Sequence, residues 1–265
     1  VAAVLDLRGA SIWVPGPPRV DLVTAVDWTV RSGEHWALLG PNGAGKTSLL
    51  SLASAQRHPS AGTADVLGQR LGRVDMRALR ERIAVVDATT AARMPGQLSL
   101  LDVALTGASG TILPRYERYT DADRSRAADR LDEVGLKALQ HRQFRDCSQG
   151  ERARALLARA LVQQPELLLL DEAASGLDLP AREALLAAVA GAAGGLTTIT
   201  VTHHVEELPP TTTHGLLLRG GRVVVGGPLA ETVTDAAMSE TFGLPVRVRH
   251  AEGRWSAAAE GSWRP

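Results

Sequence analysis

The sequence predicts an α/β fold. A parallel sheet covered by helices forms the core, with an antiparallel β-subdomain before it and a helical subdomain inserted into it. Three observations carry this reading. A short apolar run, His35 to Leu39, leads through a glycine-rich turn into a helical stretch. A fully apolar run, Leu167 to Leu170, ends on Asp171-Glu172. Short β-prone runs then alternate with segments of helical pattern, the order expected when parallel strands are buried between helix layers.

Taken in order, residues 1–30 alternate short β-prone runs around the turn Pro15-Gly16-Pro17-Pro18 and read as strands of an antiparallel sheet. His35 to Leu39 reads as a buried strand stopped by Gly40, and Thr47 to Ala55 as a helix. Residues 89–150 differ in character. Ser99 with Asp102, and Thr120 with Asp123, resemble capping boxes with Asp in place of Glu. Ala127, Ala128, Leu131 and Val134 share one helical face, so this stretch reads as the helical subdomain. Ser148 to Gln164 is a further helix, opened by Ser148 and Glu151 and stopped by Pro165. Leu167 to Leu170 is a buried strand. Pro180 and Gly194-Gly195 bracket another helix, and Thr197 to Val201 is a β-branched strand. Leu216 to Val225 forms a hairpin around Gly220-Gly221. Residues 1–230 read as one domain, and 231–265 as a C-terminal extension with a hairpin at Val246 to Ser256.

Composition excludes several functions. The 265 residues carry 29 basic and 29 acidic side chains. A zero balance argues against a non-specific nucleic-acid binder, which needs a basic excess to neutralise phosphates. It also leaves no polybasic membrane anchor. No apolar run approaches the roughly 18 residues of a bilayer span, and no basic-then-apolar leader opens the sequence. The single cysteine, Cys147, permits no internal disulfide. The expectation is a cytoplasmic chain with no nucleic-acid partner. Only Lys46 and Lys137 are lysine; every other basic residue is arginine. A lysine at a motif position is therefore informative.

Lys46 stands at such a position. Gly40, Pro41, Asn42, Gly43, Ala44, Gly45, Lys46, Thr47 and Ser48 fit the phosphate loop GxxxxGK[ST], set between a strand and a helix. Glycines let backbone N–H groups curl around phosphates, and the helix N-terminus adds a positive dipole end. Lys46 would bind the β- and γ-phosphates of ATP, and Thr47 would ligate Mg²⁺. Asp171, at the end of a buried strand, would hold the same ion as in a Walker-B strand, and Glu172 would polarise the attacking water.

Between these motifs lies Cys147-Ser148-Gln149-Gly150-Glu151. It resembles the signature LSGGQ of ATP-binding-cassette (ABC) ATPases. Alone, it also reads as an ordinary helix-capping box. Its place ahead of Asp171 favours the signature, and the resemblance then runs from Val4 to about Pro228. It implies a P-loop NTPase (RecA-like) core and Mg-ATP hydrolysis. It also implies dimerisation, as a homodimer or with a related ATPase, with Ser148, Gln149, Gly150 and Glu151 serving the ATP of the other protomer. Ser175-Gly-Leu-Asp178 is similar to the D-loop, so Asp178 would lie at the dimer interface. Thr200-Val-Thr-His203 is similar to the switch strand, so His203, with His204 as its neighbour, would contact the γ-phosphate. Trp13 stands where the family's adenine-stacking aromatic lies; the other reading is a half-buried core tryptophan. The resemblance further implies membrane-spanning permease partners and a peripheral place on the inner face of the plasma membrane. The segments Val201 to Pro209 and Leu216 to Arg222, with Gly253-Arg254-Trp255, are similar to stand-alone ATPases associated with molybdate transport.

The pattern is broken in five places: within the signature, Gln149 replaces the first Gly and Glu151 the terminal Gln, and three further departures follow. Ala88 stands where the family's Q-loop has Gln, and the neighbouring Asp87 reads either as a substitute oxygen ligand or as a polar strand end. Ala173 replaces a Pro, and Cys147 replaces the signature Leu as a small packing hydrophobe. Two other classes stand beside a transporter subunit: a soluble ABC ATPase acting on a protein assembly, and a small-molecule P-loop kinase or GTPase. The signature and His203 speak against the last.

Overall fold

The structure is a computed structural model describing residues 2–261; Val1 and the end of the C-terminal extension, 262–265, lie outside the described residues. Strands β1 (Ala3–Val14) and β2 (Val20–Arg31) form one long antiparallel pair. The several short strands expected here are thus two strands of 12 residues each, interrupted by register shifts rather than by turns. One shift falls between Leu7 and Ala10, where Gly9 has φ of +54°. It lets Leu5, Leu7, Ala10 and Ile12 all face the core despite their uneven spacing.

Strand β3 (His35–Leu39) leads into helix α1 (Lys46–Ala53). Strands β4 (Ala61–Val66) and β5 (Gln69–Arg70) complete a four-stranded antiparallel sheet of order β2-β1-β4-β5. Helix α2 (Met76–Arg80), capped by Asp75, precedes strand β6 (Ile83–Asp87). Helices α3 (Ala88–Arg93), α4 (Leu100–Leu105), α5 (Asp121–Glu133) and α6 (Gln149–Val162) follow. Ser99 caps α4, and Thr120 with Asp123 forms a reciprocal capping box on α5. Strand β7 (Leu167–Asp171), helix α7 (Leu179–Ala192), strand β8 (Thr197–Thr202) and the hairpin β9 (His214–Arg219) and β10 (Arg222–Pro228) complete the core. Helices α8 (Leu229–Thr232) and α9 (Asp235–Phe242) then carry the chain into the hairpin β11 (Val246–Ala251) and β12 (Arg254–Ala259).

The second sheet has the order β10-β9-β3-β8-β7-β6, parallel throughout except for the edge strand β10. Leu167 to Leu170 are buried on both faces, as a central parallel strand requires. Their alternation divides the interior. Leu167 and Leu169 join the core shared with the antiparallel sheet and α1, whereas Leu168 and Leu170 join the core of α4, α5 and α6. Each fully buried leucine stabilises the fold by about 1.5–3 kcal/mol, so both layers are held to one strand. A third cluster, with Leu39, Leu217, Met238 and Val246, seats the C-terminal elements on the sheet. Because β3, β6, β7 and β8 run the same way, their C-terminal ends gather at one edge. In an open α/β sheet this is where ligands bind.

Candidate functional site

The loop between β3 and α1 is held by glycine. Gly45 has φ of +100°, and a Cβ there would lie 2.6 Å from the carbonyl oxygen of Leu22. Only glycine meets both demands. Gly45 is also the N-cap of α1 and offers no side-chain oxygen; no acidic residue lies in the first turn. The first N–H groups of α1 therefore lack the usual carboxylate or hydroxyl partner, which fits an anion. Asn42 to Ser48 line a cavity of about 440 Å³, together with Val20 to Leu22, Glu172, Gly220 and Gly221. Lys46 is buried, and its Nζ donates to the carbonyls of Gly40 (2.7 Å) and Pro41 (3.1 Å). Burial lowers its pKa, against the pull of Glu172 and Asp171.

Those two carboxylates come from the end of β7. Burial pushes the Asp171 carboxyl up, and the neighbouring Glu172 and Asp87 push it the same way, while Lys46 opposes them. Glu172 has φ of +50°, rare for a residue with a Cβ, and its N–H donates to Val201 at 2.9 Å. Backbone strain of this kind concentrates at working sites. His203 follows β8, and its Nδ1 lies 3.3 Å from Glu172 Oε1. The pair is not aligned for a hydrogen bond, so Nδ1 is a buried nitrogen without a partner. His204 packs beside the His203 ring, with centroids 4.1 Å apart.

These residues fit Mg-nucleotide. The half-buried Asp171 carboxylate, which interacts with Lys46, and the Thr47 hydroxyl in the phosphate-loop cavity are hard oxygen donors of the kind Mg²⁺ takes. Among the described residues no group of three or more His, Cys, Asp or Glu could hold a metal by itself. Mg²⁺ typically shares its coordination between one or two protein oxygens, phosphates and water. The raised Asp171 pKa carries a stability consequence. The folded state holds that proton more tightly than the unfolded chain, so stability is lost as pH rises through the unfolded value towards the folded one. Asp171→Asn is expected to raise the nucleotide-free Tm by a few degrees at pH 7, with the gain shrinking in acid. Equal thermal scans for both chains at pH 7 would contradict this.

The remaining candidate residues are distributed as follows. Ser148 caps α6: its Oγ accepts from Glu151 N at 3.2 Å, and Glu151 Oε2 accepts from Ser148 N at 2.8 Å. Ser148 and Gln149 are exposed, whereas Gly150 is buried. A Cβ at Gly150 would sit 2.5 Å from the Ala181 Cβ, so this glycine lets α6 pack on the start of α7. Asp178 caps α7 by accepting from Ala181 N at 2.9 Å. Ser148 to Glu151 do not line the phosphate-loop cavity. Gln149 lines a second cavity of about 340 Å³ with Asp87, Arg152 and Glu172. Cys147 is buried, its Sγ donates to Gln143 O at 3.3 Å, and burial pushes the thiol pKa up. Asp87 caps α3, accepting from Thr90 N (2.7 Å) and Thr90 Oγ1 (3.1 Å). Each of its oxygens accepts one hydrogen bond from Thr90, as a polar strand end that caps the next helix would, and Asp87 also lines the second cavity. Trp13 is half-buried, with the Arg19 guanidinium 4.2 Å from its ring centroid. It does not line the phosphate-loop cavity; the core tryptophans are Trp28 and Trp36.

Sequence reasoning missed two supports. Gly221 N donates to Ala44 O at 3.0 Å, so the β9–β10 turn buttresses the phosphate loop. The paired glycines marked the turn but not its target. Arg152 donates to the carbonyls of Phe144 (2.9 Å) and Arg145 (2.6 Å) and secures the turn before Ser148.

Comparison with known proteins places this geometry in a family. The model of the ABC transporter family matches residues 23–175. An ABC transporter ATP-binding protein of Streptococcus mutans is 37% identical over 231 residues, covering 86% of this chain and 88% of that one. The hemin import ATP-binding protein HmuV of Bradyrhizobium diazoefficiens is 34% identical, covering 96% and 93%. Among solved structures, the dimeric cassette MJ0796 in a post-hydrolysis state with ADP and Pi matches with a TM-score of 0.72. It is 21% identical, covering 85% of this chain and 98% of that one.

Proposed function

The chain belongs to the ABC transporter family, and from that premise we propose that two copies close around two Mg-ATP to drive import through separate membrane subunits. It is an ATP-binding and ATP-hydrolysing transporter subunit. The observation that carries the mechanism is the meeting of Lys46, Asp171, Glu172 and His203 at one sheet edge, beside an uncapped helix N-terminus.

Lys46 leaves the Gly40 and Pro41 carbonyls to pair with the β- and γ-phosphates, joined by the N–H groups opening α1. Thr47 and Asp171 would hold Mg²⁺, which supplies charge stabilisation at the phosphate oxygens. The Glu172 carboxylate orients and polarises water for attack on the γ-phosphorus. His203 offers its unpartnered ring nitrogen to the γ-phosphate side of the site. Ser148 and the N-terminus of α6 meet the γ-phosphate of the facing copy, with Asp178 at the seam. That phosphate is the differential contact favouring the closed pair, and its cleavage reopens it. In this reading Trp13, with Arg19 on one ring face, lies beside the base.

Among the described residues no helix is long and apolar enough to cross a membrane. The cargo reading rests on likeness: the segments around His203 and Arg254 resemble molybdate-associated ATPases, and the Bradyrhizobium relative is named for hemin import. Both favour import of a small oxyanion or chelate. Affinity purification from the native membrane tests the assignment. Recovery of a multi-spanning protein with the chain is expected; recovery with soluble proteins alone would favour an ATPase acting on a protein assembly.

A further inference from the structure

The hairpin β11–β12 has no part in the mechanism above. Its turn is built by Glu252 (φ +52°) and Gly253 (φ +73°), a two-residue geometry that fixes Ala251 opposite Arg254. Trp255 stacks on His250 with centroids 4.3 Å apart and packs on the third core cluster, which holds β12 against the body. Arg254 then reaches two elements at once. Its two terminal nitrogens donate to Glu183 Oε2 (2.8 Å) and Oε1 (2.9 Å), and one also donates to Glu206 O at 3.2 Å. Glu206 Oε1 in turn accepts from Ala257 N at 2.8 Å.

The two elements are those that carry Asp178 and His203. Glu183 is on α7, whose cap is Asp178. Glu206 lies in the 3-10 turn Val205–Glu207, directly after His203 and His204. The other end of that turn is tied back to β8, where Thr202 Oγ1 accepts from His204 N at 3.0 Å and donates to Glu207. One guanidinium therefore spans from the Asp178 helix to the His203 segment. As a partly exposed ion pair it contributes little to stability. As a planar fork with both prongs on one carboxylate, it fixes geometry.

We propose that Arg254 is a positioning residue for ATP hydrolysis, holding the Asp178 helix and the His203 segment at one spacing through Glu183 and Glu206. The proposal rests on the reading of this sheet edge as the hydrolytic site. None of the three residues lines the phosphate-loop cavity, so nucleotide binding is left to other elements.

The test is a double-mutant cycle on the full chain, measuring kcat and KM for Mg-ATP. Arg254→Ala and Glu183→Ala are each expected to lower kcat about tenfold with KM within about twofold. Their combination should add almost nothing, because both remove the same link. Arg254→Lys, which keeps the charge but not the fork, should fall between parent and Arg254→Ala. Thermal scans should show little change; should Arg254→Ala not fold, Glu183→Ala alone carries the comparison. A kcat within twofold of parent in Glu183→Ala, or losses that multiply in the double variant, overturns the proposal while leaving the ATPase reading intact. A parent chain that turns over no Mg-ATP, indistinguishable from Glu172→Gln, overturns both.

Discussion

Glu172→Gln is expected to lower steady-state ATP hydrolysis by about 10²–10⁴-fold, the range of a lost general base. The substitution is nearly isosteric. It keeps the backbone N–H that donates to Val201 and demands the same left-handed φ of +50°. It removes the carboxylate 3.3 Å from His203 Nδ1, and with it the charge that orients water. It also relieves Asp171 of one of the two carboxylates that raise its pKa, which favours the ionised form needed to hold a cation. Nucleotide binding should therefore survive. Phosphate release and the binding of a fluorescent ATP analogue, measured side by side, separate the two effects. Unchanged turnover would remove Glu172 from its role.

Lys46→Ala should instead weaken binding itself. The side chain is 5% exposed and is held by the two carbonyls at the start of its own loop. Burial lowers its pKa, and the nearby Glu172 and Asp171 carboxylates pull it the other way. Truncating one partner of a desolvated charge pair costs about 2–5 kcal/mol, or about thirtyfold or more in affinity. Titration calorimetry with Mg-ATP reads the loss. Lys46→Arg should also fail to restore affinity, because a planar guanidinium cannot occupy the space of a compact ammonium between Gly40 and Pro41. Parent-like affinity in Lys46→Ala contradicts the phosphate-loop assignment.

The parts of the site readable in sequence are those whose chemistry is local. Gly45 and Lys46 are constrained by one turn of backbone, and Leu167 to Leu170 declare a doubly buried strand without reference to anything else. The caps at Ser99, Thr120 and Ser148 reach only three residues ahead; Thr120 and Ser148 form the reciprocal boxes that pattern predicts, whereas Ser99 caps α4 without the return bond from its own N–H to Asp102. What sequence concealed is long-range. The strands β4 and β5 carry little apolar periodicity and are defined by pairing with β1. That Asp87 caps a helix depends on the formation of α3, which its own sequence neighbourhood did not announce. The need for glycine at position 150 comes from Ala181 on another helix. The fork of Arg254 is 71 residues from its carboxylate partner, a separation that no motif reports.

In the proposed mechanism one copy of this chain holds only half of each site. Sedimentation velocity of Glu172→Gln, with and without Mg-ATP, addresses it most directly. A species of twice the 28.0 kDa chain mass is expected with Mg-ATP, absent without nucleotide, and lost again when Ser148→Arg is added. A particle that keeps one mass across all three conditions, while still binding ATP, would contradict it.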